Sequence, residues 1–151
     1  MNIIKFLLMS ILFVTLELAA QQLPASYNSP LIFTQEVNNY LLHDQQVKVE
    51  PQGVVITGSS SVRKWQSIHR DFTQINVIAR GLGGSNMNDL LYFSEQLITQ
   101  YKPRAVAIYE GDNDIAQGIS PEKIVSTFIQ LKNKIRQSLP NVRLYFISIK
   151  P

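Results

Sequence analysis

The sequence predicts an α/β fold, a three-layer α/β/α sandwich in which helices cover both faces of a parallel sheet. Short β-branched runs alternate along the chain with stretches of helical periodicity. Each candidate strand is apolar along most of its length, as strands buried on both faces are. The composition, with 45% hydrophobic and 17% charged residues, is that of one ordinary globular domain.

Four segments have the composition of strands. The first, Val54 to Thr57, lies between two glycines, and the second, Ile75 to Ala79, precedes a glycine cluster. The third runs from Arg104 to Tyr109. The fourth, from about Val142 to Ile149, alternates its apolar side chains between two faces. Their order along the chain, with helices between them, favours parallel pairing.

Helical periodicity separates these strands. A helix is expected from about Thr34 to His43 and a second from Asn88 to Tyr101, where apolar residues recur at helical spacing. A third is expected from Pro121 to Leu139, with Ser120 as its N-cap and proline at the first helical position.

The first 20 residues are typical of a secretory signal peptide. Lys5 precedes an apolar run from Phe6 to Val14, which is too short for a comfortable membrane span, and cleavage is expected after Ala20. An uncleaved anchor is the alternative, since Leu18 is a poor match to the cleavage pattern. The chain has no cysteine, which excludes a lipoprotein and disulfides. A secreted or periplasmic protein without a stable membrane span is predicted.

Residues 21–31 are polar and contain proline, so we expect a flexible lead-in before a domain over residues 32–151. The formal charge is only +3, and the basic residues are scattered rather than gathered into a stripe, so nucleic acid is not an expected partner. No metal or organic cofactor is implied by any motif.

Three loops follow the first three predicted strands. They read Gly58-Ser59-Ser60-Ser61, then Arg80-Gly81-Leu82-Gly83-Gly84-Ser85, then Glu110-Gly111-Asp112-Asn113-Asp114. In open α/β sheets, ligands bind outside the carboxyl ends of the strands, so these loops are where chemistry is expected.

Together the three loops resemble the SGNH (GDSL-like) hydrolases, which carry a Gly-Asp-Ser loop, a glycine and a Gly-x-Asn-Asp loop in this order. The resemblance implies a flavodoxin-like parallel sheet of about five strands, four of them present here. It also implies that Ser60 is the catalytic nucleophile. Gly84 and Asn113 would join the Ser60 amide in an oxyanion hole, where losing one donor typically costs about 10² to 10³ in rate.

The sequence departs from the family pattern in several places. Ser59 replaces the usual aspartate, and Asp112 adds a charge before Asn113. A branch with the pattern GSSS…RGxGGS…GDND is a closer match and also accommodates Arg63 and Trp65. Because three serines are consecutive, Ser59 and Ser61 remain alternatives to Ser60 as the nucleophile.

The family takes its base and orienting acid from an Asp-x-x-His block after a further strand, and these 151 residues contain no such block. His69 and His43 are not expected to come within the roughly 3 Å of Ser60 that a base requires. A truncated gene product, a partial sequence and a pseudo-enzyme are the alternatives, and we expect the domain to be C-terminally incomplete, inactive or impaired, and prone to aggregation.

The predicted function is that of an exported serine esterase acting on esters of lipids, acetylated sugars or short acyl groups. A non-catalytic binding domain for carbohydrate or acyl groups is the main alternative. A dinucleotide-binding module is disfavoured because Asn86 stands where glycine or alanine is needed. An α/β-hydrolase is disfavoured because its elbow has glycine where this chain has Val62.

Overall fold

The computed structural model describes residues 25–150. The predicted signal peptide and the start of the lead-in lie outside the described residues. The strands are β1 (Val54–Gly58), β2 (Val77–Gly81), β3 (Ala105–Tyr109) and β4 (Arg143–Phe146). The α-helices are α1 (Thr34–Gln46), α2 (Ser60–Arg63), α3 (Ile68–Asp71), α4 (Met87–Tyr92), α5 (Ser94–Leu97), α6 (Asp112–Ala116) and α7 (Pro121–Ser138). Short 3₁₀ turns cover Pro30–Phe33 and Thr99–Tyr101.

The four described strands form one parallel sheet in the order β2-β1-β3-β4. This arrangement confirms the predicted α/β class and flavodoxin-like order. In the register, Gly58 at the end of β1 lies opposite Gly81 of β2 and Tyr109 of β3. The first three strands therefore end at one edge of the sheet, called here the carboxyl edge.

Apolar side chains pack on both faces of the sheet, because neighbouring strand residues point to opposite sides. Val55 of β1 faces the larger core, which α1, α4, α5 and α7 cover. Ile56, the next residue, faces a smaller core that α2 and α3 cover with Val62 and Ile68. The helices thus lie in two layers around the sheet, as the sequence predicted.

The long helix α7 agrees closely with the prediction. The Ser120 side chain accepts a hydrogen bond from the Lys123 backbone N–H at 3.3 Å, and proline occupies the first turn. Thr127, Leu131 and Ile135 are buried at intervals of four residues, so a single stripe of α7 faces the core.

Several predicted elements differ from the structure. β4 covers only Arg143–Phe146 of the expected 142–149, and α1 continues past the expected end at His43 to Gln46. β2 begins at Val77, two residues later than expected, and continues through Arg80 to Gly81. The helix expected over residues 88–101 is divided into α4, α5 and a 3₁₀ turn, since Phe93 and Ile98 leave helical geometry. Leu97 and Ile98, at the second break, are both fully buried.

The described part of the lead-in contacts the domain. The Tyr27 hydroxyl donates a hydrogen bond to the carboxylate of Asp114 at 2.8 Å. Within residues 25–150, no helix combines the length and apolar character that crossing a bilayer requires.

Candidate active site

The three predicted loops leave the carboxyl edge side by side. The Leu82 N–H donates to the Gly58 carbonyl at 2.8 Å, which joins the second loop to the first. The Ser59 N–H donates to the Tyr109 carbonyl at 3.2 Å, which joins the first loop to the end of β3. The loops therefore share one surface, as a composite site requires.

The three consecutive serines differ in exposure. Ser59 is only 2% exposed, Ser60 is half-buried at the first residue of α2, and Ser61 is exposed. A nucleophile has to reach its substrate, so burial disfavours Ser59 and leaves Ser60 and Ser61 as candidates. The backbone at Gly58, with φ of +146°, turns the chain sharply from β1 toward these residues.

Gly84 lies in the exposed part of the second loop, with φ of +90°. A Cβ at this position meets no described atom within 4 Å, and the positive φ is a backbone conformation that favours glycine.

Asn113 lies on α6, just after the end of β3. Its Nδ2 donates a hydrogen bond to the Ser85 carbonyl at 2.7 Å, which links the third loop directly to the residue after Gly84. A side-chain amide has two N–H donors, and this bond uses one of them.

An ion pair that the sequence did not reveal connects the first two loops. The Arg63 Nε atom lies 2.9 Å from a carboxylate oxygen of Glu36 on α1. The same carboxylate accepts a hydrogen bond from the Gly83 N–H at 3.4 Å. Arg63 and the glycine cluster were visible in the motif, but Glu36 is distant in sequence and belongs to no motif.

A second group of polar side chains lies near the serines of the first loop. The Tyr109 hydroxyl donates to Asp112 at 2.7 Å, and this hydrogen bond raises the pKa of Tyr109. The Lys150 ammonium group lies 3.7 Å from the same carboxylate. Tyr109, Asp112 and Lys150 thus put a charged group of each sign near the first loop.

Three acids are buried beneath the second and third loops: Glu110, Asp114 and Asp89 are each no more than 3% exposed. Burial raises the pKa of Asp89 to about 6. Burial likewise raises the pKa of Asp114, and raises that of Glu110 well above its usual range. The carboxyl edge therefore contains acids that hold their protons more tightly than in water.

The two histidines lie elsewhere. His43 and His69 line a cleft of about 250 Å³ that runs along β2 from Asn76 to Arg80. Among residues 25–150, no described hydrogen bond joins either histidine to a serine of the first loop, and His43 lies 4.0 Å from the Asp44 carboxylate.

No family model matches the chain, and no curated protein matches it in sequence. Solved structures do match in three dimensions. A GDSL-like lipase from Bacteroides thetaiotaomicron superposes with a TM-score of 0.66 at 18% identity, covering 76% of this chain and 58% of the lipase. A protein from Streptococcus pneumonia, provisionally assigned as a platelet activating factor, superposes with a TM-score of 0.63 at 20% identity. The match covers 82% of this chain and 63% of that protein.

The SGNH-hydrolase family esterase AlinE4 gives a TM-score of 0.58 at 15% identity, over 67% of this chain and 60% of the esterase. The chain thus has the fold of GDSL-like lipases and SGNH-hydrolase esterases. It spans less than two thirds of the length of these solved structures.

Proposed function

We propose that this chain is the greater part of an exported SGNH-type serine esterase, with Ser60 as the nucleophile. The observation that carries the proposal is the meeting of three motif loops at one edge of the sheet, joined by the hydrogen bond from Asn113 to the Ser85 carbonyl. Solved structures with the same fold include an acetyl xylan esterase and a GDSL-like lipase, which supports an ester substrate.

In the proposed reaction, the Ser60 oxygen attacks the ester carbonyl, and negative charge develops on the carbonyl oxygen. The Ser60 and Gly84 backbone N–H groups and the remaining N–H of Asn113 would bind that oxygen. Half-burial of Ser60 leaves its hydroxyl accessible, and the open space beside Gly84 leaves room for the substrate.

Proton removal from Ser60 requires a base. Within residues 25–150, both histidines line the cleft along β2, and no described hydrogen bond joins either of them to Ser60. We therefore propose that the 151-residue chain alone is inactive or strongly impaired. Serine hydrolases without their partner residues retain only about 10³ to 10⁴ over the water reaction.

Chemical rescue tests this proposal. A fluorophosphonate probe is expected to label the chain slowly, and free imidazole is expected to accelerate labelling by replacing the absent base. Ser60→Ala is expected to abolish the accelerated labelling, while Ser61→Ala, the matched control on the next residue, is expected to retain it. Labelling lost in Ser61→Ala and retained in Ser60→Ala would move the nucleophile by one residue.

A second candidate is a non-catalytic domain that binds carbohydrate or acyl groups on the same fold, and it is favoured because both histidines line the cleft along β2 with no described hydrogen bond to Ser60. This candidate predicts no fluorophosphonate labelling at any imidazole concentration. It also predicts saturable binding of an acetylated sugar or an acyl ester that remains uncleaved.

A further inference from the structure

Glu110 is a buried acid that the proposed reaction does not use. It follows the last residue of β3 and is 1% exposed. Its Oε1 atom lies 2.6 Å from the Ser85 hydroxyl oxygen. Its Oε2 atom has no hydrogen-bond partner among residues 25–150. Burying a carboxyl group with a single hydrogen-bond partner lowers the stability of the folded state, so its presence calls for an explanation.

Ser85 connects Glu110 to the candidate oxyanion hole. The Ser85 hydroxyl contacts Glu110, and the carbonyl of the same residue accepts the hydrogen bond from Asn113 Nδ2 at 2.7 Å. The hydroxyl also lies 3.3 Å from the Leu82 carbonyl, across the turn that presents Gly84. One residue therefore joins the buried acid, the glycine turn and the amide of Asn113.

From this connection we infer that Glu110 is a positioning residue: its carboxyl group fixes Ser85, and the Ser85 carbonyl in turn orients the Asn113 amide toward the oxyanion site. The inference rests on the proposed esterase function for its catalytic meaning. The positioning itself is a property of the folded chain and is measurable without substrate.

The surroundings of Glu110 favour its neutral form. The charged groups around it are the carboxylates of Asp114 on α6 and Asp89 on α4, and Asp114 also accepts a hydrogen bond from Tyr27. No described cation forms a salt bridge with Glu110. Burial, reinforced by the charges of Asp114 and Asp89, holds the pKa of Glu110 well above its usual range.

The proton on Glu110 decides the direction of the hydrogen bonds. A neutral carboxyl group can donate to the Ser85 oxygen, and the Ser85 hydroxyl is then free to donate to the Leu82 carbonyl. An ionised carboxylate can only accept hydrogen bonds. The one hydroxyl proton of Ser85 would then be donated to Glu110, and the hydrogen bond from this hydroxyl to the Leu82 carbonyl would be lost. Ionisation is therefore expected to loosen the turn that carries Gly84 and to disturb Asn113.

Nuclear magnetic resonance of the Asn113 side-chain amide tests the inference on the full 151-residue chain. Glu110→Ala is expected to shift this signal toward that of a solvated amide and to speed its hydrogen exchange about fivefold to tenfold, the effect of losing one hydrogen bond. Glu110→Gln has both donor and acceptor groups, so it is expected to keep the wild-type signal. Ser85→Ala retains the carbonyl but removes the link, so it is expected to resemble Glu110→Ala.

A pH titration separates positioning from general stabilisation. In the wild type, the Asn113 amide is expected to shift as Glu110 ionises, at a pH well above the usual range of a glutamate, and Glu110→Gln is expected to abolish that shift. Asp89→Asn is the matched control, since Asp89 belongs to the same buried group but forms no hydrogen bond with Ser85 or Asn113. It is expected to retain the Asn113 titration and to lower its midpoint, because the Asp89 charge contributes to the raised pKa of Glu110.

An unchanged Asn113 signal in folded Glu110→Ala would overturn the inference, as would a wild-type titration that persists in Glu110→Gln. If Glu110→Ala does not fold, the comparison of wild type with Glu110→Gln still decides. Because no turnover is measured, failure of the esterase proposal would leave these signals unchanged, and the two outcomes are distinguishable.

Discussion

The carboxyl edge of β1 to β3 and the outer side of β4 differ in which groups they bury and which they expose. At the carboxyl edge, polar groups are buried and bonded to one another, as Asn113 and Ser85 are. Around β4, apolar groups are exposed: Tyr145, Phe146 and Ile147 have 53%, 47% and 42% of their surfaces open. Apart from Glu110 Oε2, the fully buried polar side-chain atoms of the first region are bonded within this chain, whereas the second region presents apolar surface of the kind that binds other groups.

An apolar groove lies where the two regions meet. It has a volume of about 190 Å³ and is lined by Gly111 from the third loop together with Ile115, Val125, Phe146 and Ile149. The candidate site is thus polar toward β1 and apolar toward β4. The hydrogen-bonded half of the site is thus held by contacts within residues 25–150, whereas the groove exposes apolar side chains.

The largest effect on stability is expected from a substitution at the carboxyl edge. A Cβ at Gly58 would lie 2.0 Å from the Tyr109 carbonyl oxygen, and φ there is +146°. Gly58→Ala is therefore expected to lower the free energy of unfolding by about 4 kcal/mol or more, as measured by urea denaturation. Gly84→Ala meets no atom and adds only backbone strain, so a loss of about 1 to 3 kcal/mol is expected. Equal losses would contradict this account.

The next effect concerns chemistry rather than folding. Asn113→Ala is expected to lower the residual hydrolysis of an activated ester by about 10² to 10³, since one oxyanion donor is lost. Asn133→Ala, an exposed asparagine on α7, is the control and is expected to leave the rate unchanged. A normal rate in Asn113→Ala would remove this amide from the proposed oxyanion hole.

A smaller effect is expected in the pH dependence of stability, which the buried acids of the carboxyl edge control. The pKa of Asp89 is raised from 3.8 to about 6, so the folded chain keeps this proton at pH values where the unfolded chain releases it. Stability is therefore greatest below the lower value and declines as pH rises through the higher one. From pH 4 to 7, the decline attributable to Asp89 is expected to be about 2 kcal/mol and to disappear in Asp89→Asn.

The control for this titration is Asp71→Asn, because hydrogen bonds from Ser67 and Trp65 lower the pKa of the exposed Asp71. Removing it is expected to leave the decline between pH 4 and 7 in place. A decline that survives in Asp89→Asn would assign it to another group.

The smallest effect on stability is expected on the β4 side. The double variant Tyr145→Lys with Ile147→Lys replaces exposed side chains and is expected to change the free energy of unfolding by no more than about 0.5 kcal/mol per site. Self-association in sedimentation velocity is expected to fall, because lysine on an edge strand opposes pairing with another chain. Leu42→Lys, an equally exposed apolar residue on α1, is expected not to reduce it.

Local patterns were enough to predict the alternation of strands and helices. The Ser120-Pro121 start of α7 and the β-branched run of β1 depend on neighbours in sequence, and both formed as expected. The helix expected over residues 88–101 did not form as one piece, because the backbone leaves helical geometry at Phe93 and Ile98.

The fold class and the three motif loops could be predicted from the sequence, because strand composition, helix caps and glycine-rich turns act over a few residues. The contacts of Glu36 with Arg63 and of Glu110 with Ser85, and the position of both histidines beside β2, could be found only in the folded chain. These facts depend on which distant segments the parallel sheet brings together. Burial, which shifts the pKa values of the acids, also arises only from that packing.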